Sequence, residues 1–422
     1  MKRIQLEIKA LSPLAIGRKK PGGSVSEAGD YIPGSVIRGA MAAQILRQSG
    51  HQSANLADNG GDFQALFIGD NPAIFHNAYP ATIEGQKQTR VQSDVWVVPA
   101  TALSSKTQPG FKSKPNDSDH NGVFDTLIDR FCADGYGHLY DPTCPQDGDR
   151  VDTFTEFYSK IGNKYHSHSA NTRLLTRAGI NRRRATTEEG VLYSIEVLNE
   201  SKIAGKREKP VIYTGAILVA DELAESLQRF ITNYQQDFRL GGSTSRGLGK
   251  VKITAKSPVD TTAVKPSVEE RIKMFQDKLH KRWQDWQIFG QPQQDLLQNR
   301  TYFTIDLQSD TILNENWRRT TVISPEMLQY FTGVTDSSLQ LHAAYSSYDY
   351  LSGWNSAWGL MKDVELITNK GAVYLFSTIQ PNLWMERLNY LEVKGVGERT
   401  CEGFGQVQIC NEFHLVLREE AV

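Results

Sequence analysis

The sequence contains little cysteine and no long apolar segment. Its four cysteines in 422 residues are too few for a disulfide framework, so we expect a reducing compartment. No apolar run approaches the ~20 residues needed to span a bilayer. The basic start, residues 1–3, leads into the alternating strand-like segment 4–10 and not into the apolar core of a signal peptide. These absences predict a cytoplasmic protein without a membrane partner.

Net charge is also nearly absent. The 47 Lys and Arg residues balance 48 Asp and Glu residues, which gives a formal charge of -1. The chain therefore has no overall basic field, and any nucleic-acid site must be a local basic patch. The sequence lacks a Walker loop, a dinucleotide fingerprint and the HExxH and GxSxG motifs. We expect no cofactor.

A glycine-rich phrase, by contrast, occurs twice. Residues 240–253 read LGGSTSRGLGKVKI, and residues 394–409 read KGVGERTCEGFGQVQI. Each phrase has a central arginine, Arg246 or Arg399, and ends in Gly-x-Gly before an alternating strand. Such a loop allows close approach to a phosphate chain, although glycines at a strand entry also serve tight turns. The repetition predicts two related halves.

The periodicity of apolar residues predicts the same order of elements in both halves. That order is strand, helix, two hairpin strands, helix, glycine loop and strand, which is the order of a ferredoxin-like (RRM-like) βαββαβ unit. The predicted fold is α+β, with two such halves that each end in a glycine-rich loop. We place the first half at residues 1–256, a linker and helix at 257–300, and the second half at 301–422. Long insertions interrupt the first half at about residues 104–170, and residues 104–125 are predicted to be a loop because they lack periodicity.

Two further segments carry a resemblance to a known family. Residues 13–41 read PLAIGRKKPGGSVSEAGDYIPGSVIRGAM, and residues 176–196 read TRAGINRRRATTEEGVLYSIE. Together with both glycine loops, they resemble the RAMP superfamily of CRISPR-associated proteins, in particular the large RAMP subunits of type III-D effector complexes. The resemblance implies a subunit that binds the CRISPR guide RNA in an RNA-targeting complex and caps one end of the guide. The partners that it implies are the guide RNA, other RAMP subunits and large subunits of the complex. Target RNA is an indirect partner.

The first glycine loop is the stronger of the two candidates for RNA contact. Its backbone amides and its arginine are predicted to hold phosphates, and the residues concerned are Gly242, Ser243, Ser245, Arg246, Gly247 and Gly249. In the second loop, Glu398 and Glu402 flank Arg399 and would repel phosphate. Arg399 remains a candidate, but a weaker one.

Arginine is concentrated in residues 173–184, with no acidic residue before Glu188. The segment holds Arg173, Arg177, Arg182, Arg183 and Arg184. Arginine binds phosphate bidentately and stacks on splayed bases, so the last four of these residues are predicted to contact RNA. The alternative is a solvated charged face.

A second basic group lies near the N-terminus. It consists of Arg18, Lys19 and Lys20, which precede a Pro-Gly-Gly-Ser stretch. Ser35 can cap a helix predicted at residues 36–48, and Arg38 lies in its first turn. Free amides at such an N-terminus form an anion site. The segment therefore has two interpretations: a phosphate-binding site or an ordinary capped helix.

The enzymatic alternative is an endoribonuclease that processes guide precursor or cleaves target RNA with a loop aspartate, for which Asp30 is the candidate. Processing members of the family use a histidine near the glycine loop, and neither loop phrase contains one. Some members carry a zinc-type cysteine cluster; the candidates here are Cys132, His138 and Cys144, without a close Cys-x₂₋₄-Cys pair. We therefore predict a structural subunit without metal, and leave the enzyme alternative open.

Overall fold

The computed structural model describes residues 1–17, 27–49, 61–81, 94–113, 119–181, 186–204, 207–261, 266–292, 294–355 and 360–422. Within these residues, the α-helices are Gly34–Ser49 (α1), Gly61–Phe67 (α2), Leu127–Tyr136 (α3), Asp221–Asn233 (α4), Val268–Asp285 (α5), Pro325–Thr332 (α6) and Met385–Lys394 (α7). The strands before the first glycine loop are Lys2–Ala10 (β1), Ile74–Phe75 (β2), Tyr79–Pro80 (β3), Trp96–Val97 (β4), Ala102–Ser105 (β5), Val123–Asp125 (β6), Val151–Thr153 (β7), Phe157–Ile161 (β8), Lys164–His168 (β9), Thr172–Asn181 (β10), Thr186–Leu198 (β11), Ser201–Ala204 (β12), Arg207–Pro210 (β13) and Ile212–Val219 (β14). The strands after it are Val251–Ala255 (β15), Val259–Asp260 (β16), Thr301–Leu307 (β17), Leu313–Glu315 (β18), Arg318–Thr320 (β19), Gln340–Tyr345 (β20), Tyr348–Asn355 (β21), Leu360–Thr368 (β22), Val373–Thr378 (β23) and Val407–Ile409 (β24).

The first half is built on an antiparallel sheet with the strand order β15-β1-β14-β2. Strand β1 alternates as the sequence predicts, because Ile4, Leu6 and Ile8 are fully buried and the residues between them are partly exposed. Helices α1 and α4 contribute apolar side chains to the same core as this sheet. Burial of one face therefore fixes the register of β1 between its neighbours.

The second half repeats this arrangement. Its sheet has the strand order β20-β23-β17-β24, so β17 takes the place of β1, β23 that of β14 and β24 that of β15. Each half also projects an antiparallel hairpin, β10–β11 in the first half and β21–β22 in the second. The structure is a mixture of helices and antiparallel sheets, as the α+β prediction requires. No helix in the described ranges is long and apolar enough to cross a membrane.

The insertion in the first half packs mainly against the second half. The ring of Phe131 in α3 lies 5.8 Å from that of Trp283 in α5 and 5.1 Å from that of Tyr302 in β17. The Tyr136 hydroxyl donates to the Trp283 carbonyl at 2.9 Å. Helix α3 therefore belongs to the core that α5 and the second sheet form.

The C-terminal segment closes over the same insertion. The amide of Val123 donates to the carbonyl of Val422 at 2.7 Å, and the amide of Asp125 donates to that of Val416 at 2.8 Å. These contacts correct the prediction of a loop at residues 104–125, since β5 reaches into that range and β6 ends it. Both short strands are buried on both faces, which removes the alternation that marks a half-buried strand.

A buried histidine joins the insertion to the second sheet. The Nε2 of His414 donates to Oδ1 of Asp306 at 2.7 Å, and its Nδ1 lies 3.2 Å from Oδ2 of Asp125. Burial by itself lowers the pKa of His414, but the Asp306 and Asp125 carboxylates outweigh it and raise the pKa from 6.5 to about 10. His414 is therefore a charged, fully buried link at neutral pH.

Candidate nucleic-acid interface

The two glycine loops share one backbone conformation. Each folds into a single 3₁₀ turn, Thr244–Arg246 in the first loop and Thr400–Glu402 in the second. The residue before each turn has a positive φ, 56° at Ser243 and 58° at Arg399. The glycine after each turn is also in the left-handed region, so the two loops correspond residue by residue.

This correspondence corrects the pairing of the two arginines. Arg246 ends the first turn where Glu402 ends the second, and Arg399 stands where Ser243 stands. The sequence already held this information, because Arg246 directly precedes its Gly-x-Gly whereas Arg399 lies four residues before its own. The phrase is repeated in its backbone conformation and not in the position of its arginine.

The first glycine loop lies beside hairpin β10–β11. The Arg246 guanidinium lies 5.3 Å from the centre of the Tyr193 ring and donates to its hydroxyl at 2.8 Å. Arg177, which is directly opposite Tyr193 in the hairpin, donates to the Arg246 carbonyl at 3.1 Å. We call Arg177, Tyr193 and Arg246 the loop 1 cluster. Sequence reasoning missed Tyr193, because its place opposite Arg177 depends on a strand register that the sequence does not give.

Three backbone amides of the first loop are also unpaired in the described part of the chain. The amides of Gly242 and Gly249 already donate to backbone carbonyls of the segment that follows β1. The amides of residues 243–245 have no acceptor in the described part of the chain. Consecutive unpaired amides at a left-handed residue are typical of an anion-binding nest, and the hydroxyls of Ser243 and Ser245 stand on the same turn.

The second glycine loop is packed against the first half. A Cβ on Gly403 would lie 2.7 Å from Oδ1 of Asn77, and a Cβ on Gly34 would lie 2.8 Å from the carbonyl oxygen of Glu402. The Gly34 amide donates to the same Asn77 oxygen at 2.8 Å. Only glycine fits at these two positions, because the loop and the start of α1 approach each other closely. The second loop therefore joins the two halves.

Arg399 is neutralised within its own loop. Its guanidinium donates to the Glu402 carboxylate at 2.6 Å and lies 5.0 Å from the centre of the Phe404 ring. The other nearby acid, Glu398, pairs with Arg319 at 2.7 Å. RNA contact at Arg399 stays a prediction, and the geometry favours the first loop over the second.

The N-terminus of α1 is less open than the sequence suggests. The helix begins at Gly34, and its first amides donate to the Asn77 side chain and the Pro33 carbonyl. The Ser35 amide has no acceptor among the described residues. Arg38 donates to the Phe67 carbonyl at 2.6 Å and lies 5.5 Å from the Phe67 ring. Arg38 therefore links α1 to α2 through one nitrogen of its guanidinium, and its contact with phosphate stays a prediction.

Part of the predicted basic surface lies outside the described residues. The residues concerned are Arg18, Lys19, Lys20, Arg182, Arg183 and Arg184. Their RNA contacts stay predictions. In the described part of the same arginine-rich stretch, Arg173 pairs with Glu200 at 2.9 Å, whereas Arg177 belongs to the loop 1 cluster.

Asp30 lies in a cleft of about 490 Å³ between the two halves. Its carboxylate is 55% exposed and pairs with Lys370 at 3.1 Å. Beside it, the Tyr31 hydroxyl donates to Asp310 at 3.0 Å, and burial together with nearby carboxylates raises the pKa of Tyr31. Among the described residues that line the cleft there is no histidine. The described lining of the cleft thus gives Asp30 a cationic partner and no imidazole base.

The three zinc candidates do not come together. Cys132 is buried in α3, where burial raises the pKa of its thiol. His138 is exposed beside the Phe289 carbonyl, and Cys144 is buried in another part of the insertion. No three His, Cys, Asp or Glu side chains of the described ranges are placed to hold a metal ion.

Two sheets of identical strand order, each closed by a glycine loop of the same conformation, define a duplicated α+β protein. The profile of the RAMP superfamily matches residues 7–252. Because this match covers more than half of the chain, the chain belongs to the RAMP superfamily of CRISPR-associated proteins. The resemblance found in the sequence is confirmed at the level of the superfamily. No curated protein matches the chain.

Chains from three cryo-EM structures are similar to this chain. One comes from a structure described as type III-B Cmr-beta bound to cognate target RNA and AMPPnP. It is 12% identical to this chain, the alignment covers 92% of this chain and 94% of the similar one, and the TM-score is 0.38. A second, type III-B Cmr-beta bound to cognate target RNA, is 12% identical with coverages of 88% and 86% and a TM-score of 0.35. A third, the apo state of type III-B Cmr-beta, is 14% identical with coverages of 60% and 96% and a TM-score of 0.29.

Proposed function

We propose that this RAMP protein is a guide-RNA-binding structural subunit of a type III effector complex. In that complex it caps one end of the guide beside the repeated backbone subunits. Other RAMP and large subunits are its protein partners, and target RNA is met only through the guide. The observation that carries the proposal is the loop 1 cluster beside a turn with unpaired amides.

The cluster offers the two kinds of contact that single-stranded RNA needs. Arg177 and Arg246 supply guanidinium groups, which form charge-assisted hydrogen bonds with phosphate oxygens. The amides of residues 243–245 supply neutral donors on the same loop. Tyr193 supplies an aromatic face already in contact with Arg246. Because the net charge is only -1, we expect affinity to depend on such local groups.

The test is a salt titration of guide-RNA binding. Wild type and the Arg177→Ala/Arg246→Ala double variant are titrated with fluorescein-labelled CRISPR guide RNA, and anisotropy is read at several salt concentrations. Each lost phosphate contact reduces the slope of log affinity against log salt by roughly 0.7, so we expect a slope lower by about 1.4. The control is Arg229→Ala, which removes an exposed arginine of α4.

This control is expected to keep the wild-type slope. An unchanged slope in the double variant would show that the cluster does not contact phosphate. A loss of slope as large in Arg229→Ala would show that any surface arginine contributes equally, which contradicts a localised site.

We also infer that each half is a ferredoxin-like unit and that the chain divides into residues 1–256, a linker and helix at 257–300, and residues 301–422. The shared strand order of the two sheets supports the first inference. Helix α5, which follows the linker, lies in the core of the second half. Limited proteolysis is expected to cut between β16 and α5; resistance there to a protease that cuts other surface loops would count against this boundary.

The site gives the endoribonuclease alternative less support. Asp30 is paired with Lys370, and the described lining of its cleft offers no histidine to take the proton of a 2′-hydroxyl. The exposed donors of the first loop suit the holding of phosphate, which needs no proton transfer. Binding is therefore the function that the geometry supports best.

A further inference from the structure

Hairpin β18–β19 presents an almost fully exposed tryptophan. Its turn consists of Asn316 and Trp317, which have positive φ values of 49° and 66°. A turn with positive φ at both central residues favours glycine or asparagine, and a bulky side chain is disfavoured there. Trp317 is nevertheless 97% exposed. Its side chain adds little to the fold and occupies a position that glycine would fill with less strain.

The hairpin is firmly attached at its base. Arg319 pairs with Glu365 of β22 at 2.6 Å and with Glu398 of the second glycine loop at 2.7 Å. Leu313 at the start of the hairpin is fully buried. The indole is therefore carried by a braced element at the edge of the second half, and a partner would meet it in a defined position.

The surroundings of Trp317 are polar and carry charges of both signs, with Glu315 opposite Arg318 in the hairpin. Its neighbours in the hairpin include Asn314 and Glu315 on one strand and Arg318 on the other. Arg318 is exposed, and its side chain has no hydrogen-bonding or ionic partner in the described residues. A tryptophan that anchors a protein partner normally lies at the centre of an apolar, desolvated patch. An isolated indole beside an unpaired guanidinium instead matches a base-stacking platform with a phosphate contact next to it.

We propose that Trp317 stacks on a nucleobase of single-stranded RNA while Arg318 contacts an adjacent phosphate. This site is separate from the loop 1 cluster, and it rests on the proposed function only in that the chain meets RNA. The shape and charge of the hairpin give no preference for a particular base, because every base offers an aromatic face. The contact would therefore hold the RNA strand in place without selecting its sequence.

The test uses Trp317→Gly, which removes the indole and also relieves the strained turn. The probes are a fluorescein-labelled 12-nucleotide oligouridine and an abasic RNA backbone of the same length. We expect Trp317→Gly to keep or increase thermal stability and to bind the oligouridine about 5- to 150-fold more weakly, the range found for one stacked base. Its affinity for the abasic backbone is expected to be unchanged. Trp317→Phe is expected to recover part of the loss, and Arg318→Ala to lower the salt slope by roughly 0.7 on both probes.

Three other outcomes would each contradict the stacking inference. If wild type binds oligouridine and Trp317→Gly binds it equally well, the stacking inference is wrong and the proposed function stands. If Trp317→Gly binds RNA normally but fails to co-purify with a neighbouring subunit, the indole anchors a protein and the stacking inference is again wrong. If wild type binds neither these probes nor guide RNA, the proposed function fails and this inference fails with it.

Discussion

The buried ion pair at His414 makes a quantitative prediction about stability against pH. In the folded protein the Asp306 and Asp125 carboxylates overcome the effect of burial and hold the pKa of His414 at about 10, whereas an unfolded histidine has a value near 6.5. A group whose pKa is raised on folding contributes its full stabilisation at pH values below its pKa in the unfolded state. That contribution is lost as pH rises through the folded value. The loss therefore falls between pH 6.5 and pH 10.

The magnitude follows from the proton balance. Within this window the folded state keeps a proton that the unfolded state has released, so stability falls by about 1.4 kcal/mol per pH unit. Between about pH 7.5 and pH 9.5, the stabilisation that His414 gives the folded state should fall by roughly 2–3 kcal/mol. This is a large part of the stability of an ordinary domain, which is about 5–15 kcal/mol.

The assay is urea denaturation at several pH values, followed by tryptophan fluorescence, because Trp384 is fully buried in the core of the second half. We expect the difference in unfolding free energy between wild type and His414→Gln to shrink by roughly 2–3 kcal/mol from about pH 7.5 to pH 9.5. His342→Gln is the matched control. Burial and Arg300 lower the pKa of His342 to about 4, so its contribution is lost only as pH falls from 6.5 to about 4. A pH-independent difference for His414→Gln would refute the reasoning.

Two further predictions concern the first glycine loop and the cleft. Gly247→Ala is expected to lower the unfolding free energy by about 1 kcal/mol, because the added Cβ meets open space and only the positive φ is strained. Gly249→Ala is expected to lower it by about 3 kcal/mol or more, because its Cβ would lie 2.5 Å from the Leu240 carbonyl oxygen. Urea denaturation measures both losses, and equal losses would contradict this account. Asp30→Ala is expected to leave the number of target-RNA cuts unchanged in an assembled complex, because Asp30 is paired with Lys370. The loss of one cut from an otherwise intact cleavage ladder would show that this subunit is a nuclease.

The parts of the fold that the sequence predicts best are those with one buried face. Strand β1 alternates because it is buried on one side, and helix α1, predicted at residues 36–48, is observed at Gly34–Ser49. The docking of the insertion on the second half could not be predicted, because it depends on contacts between segments far apart in the chain. Phe131 and Trp283 give no local sign that they pack together. Strands β5 and β6 lack periodicity because both of their faces are buried.

The candidate site could be predicted in residue type but only partly in position. The glycine phrase marks both loops in the sequence. Of the two acids near Arg399, Glu402 pairs with it and Glu398 pairs with Arg319. Whether an arginine faces solvent or packs inward depends on its neighbours in space. Arg38 contacts a different helix, α2, and the sequence around Arg38 gives no sign of this contact. Tyr193 became visible only through its register with Arg177.

The docking of the insertion on the second half has a consequence for synthesis on the ribosome. Helix α3 ends at Tyr136, but α5, which covers it, is complete only at Asp285, and the C-terminal segment that closes the insertion comes last of all. At about 5–20 residues per second, the apolar face of α3 waits on the order of ten seconds for its partner. During that interval Phe131 and its neighbours have no core to join. The nascent chain therefore presents a target for chaperones well before it can meet RNA or another subunit.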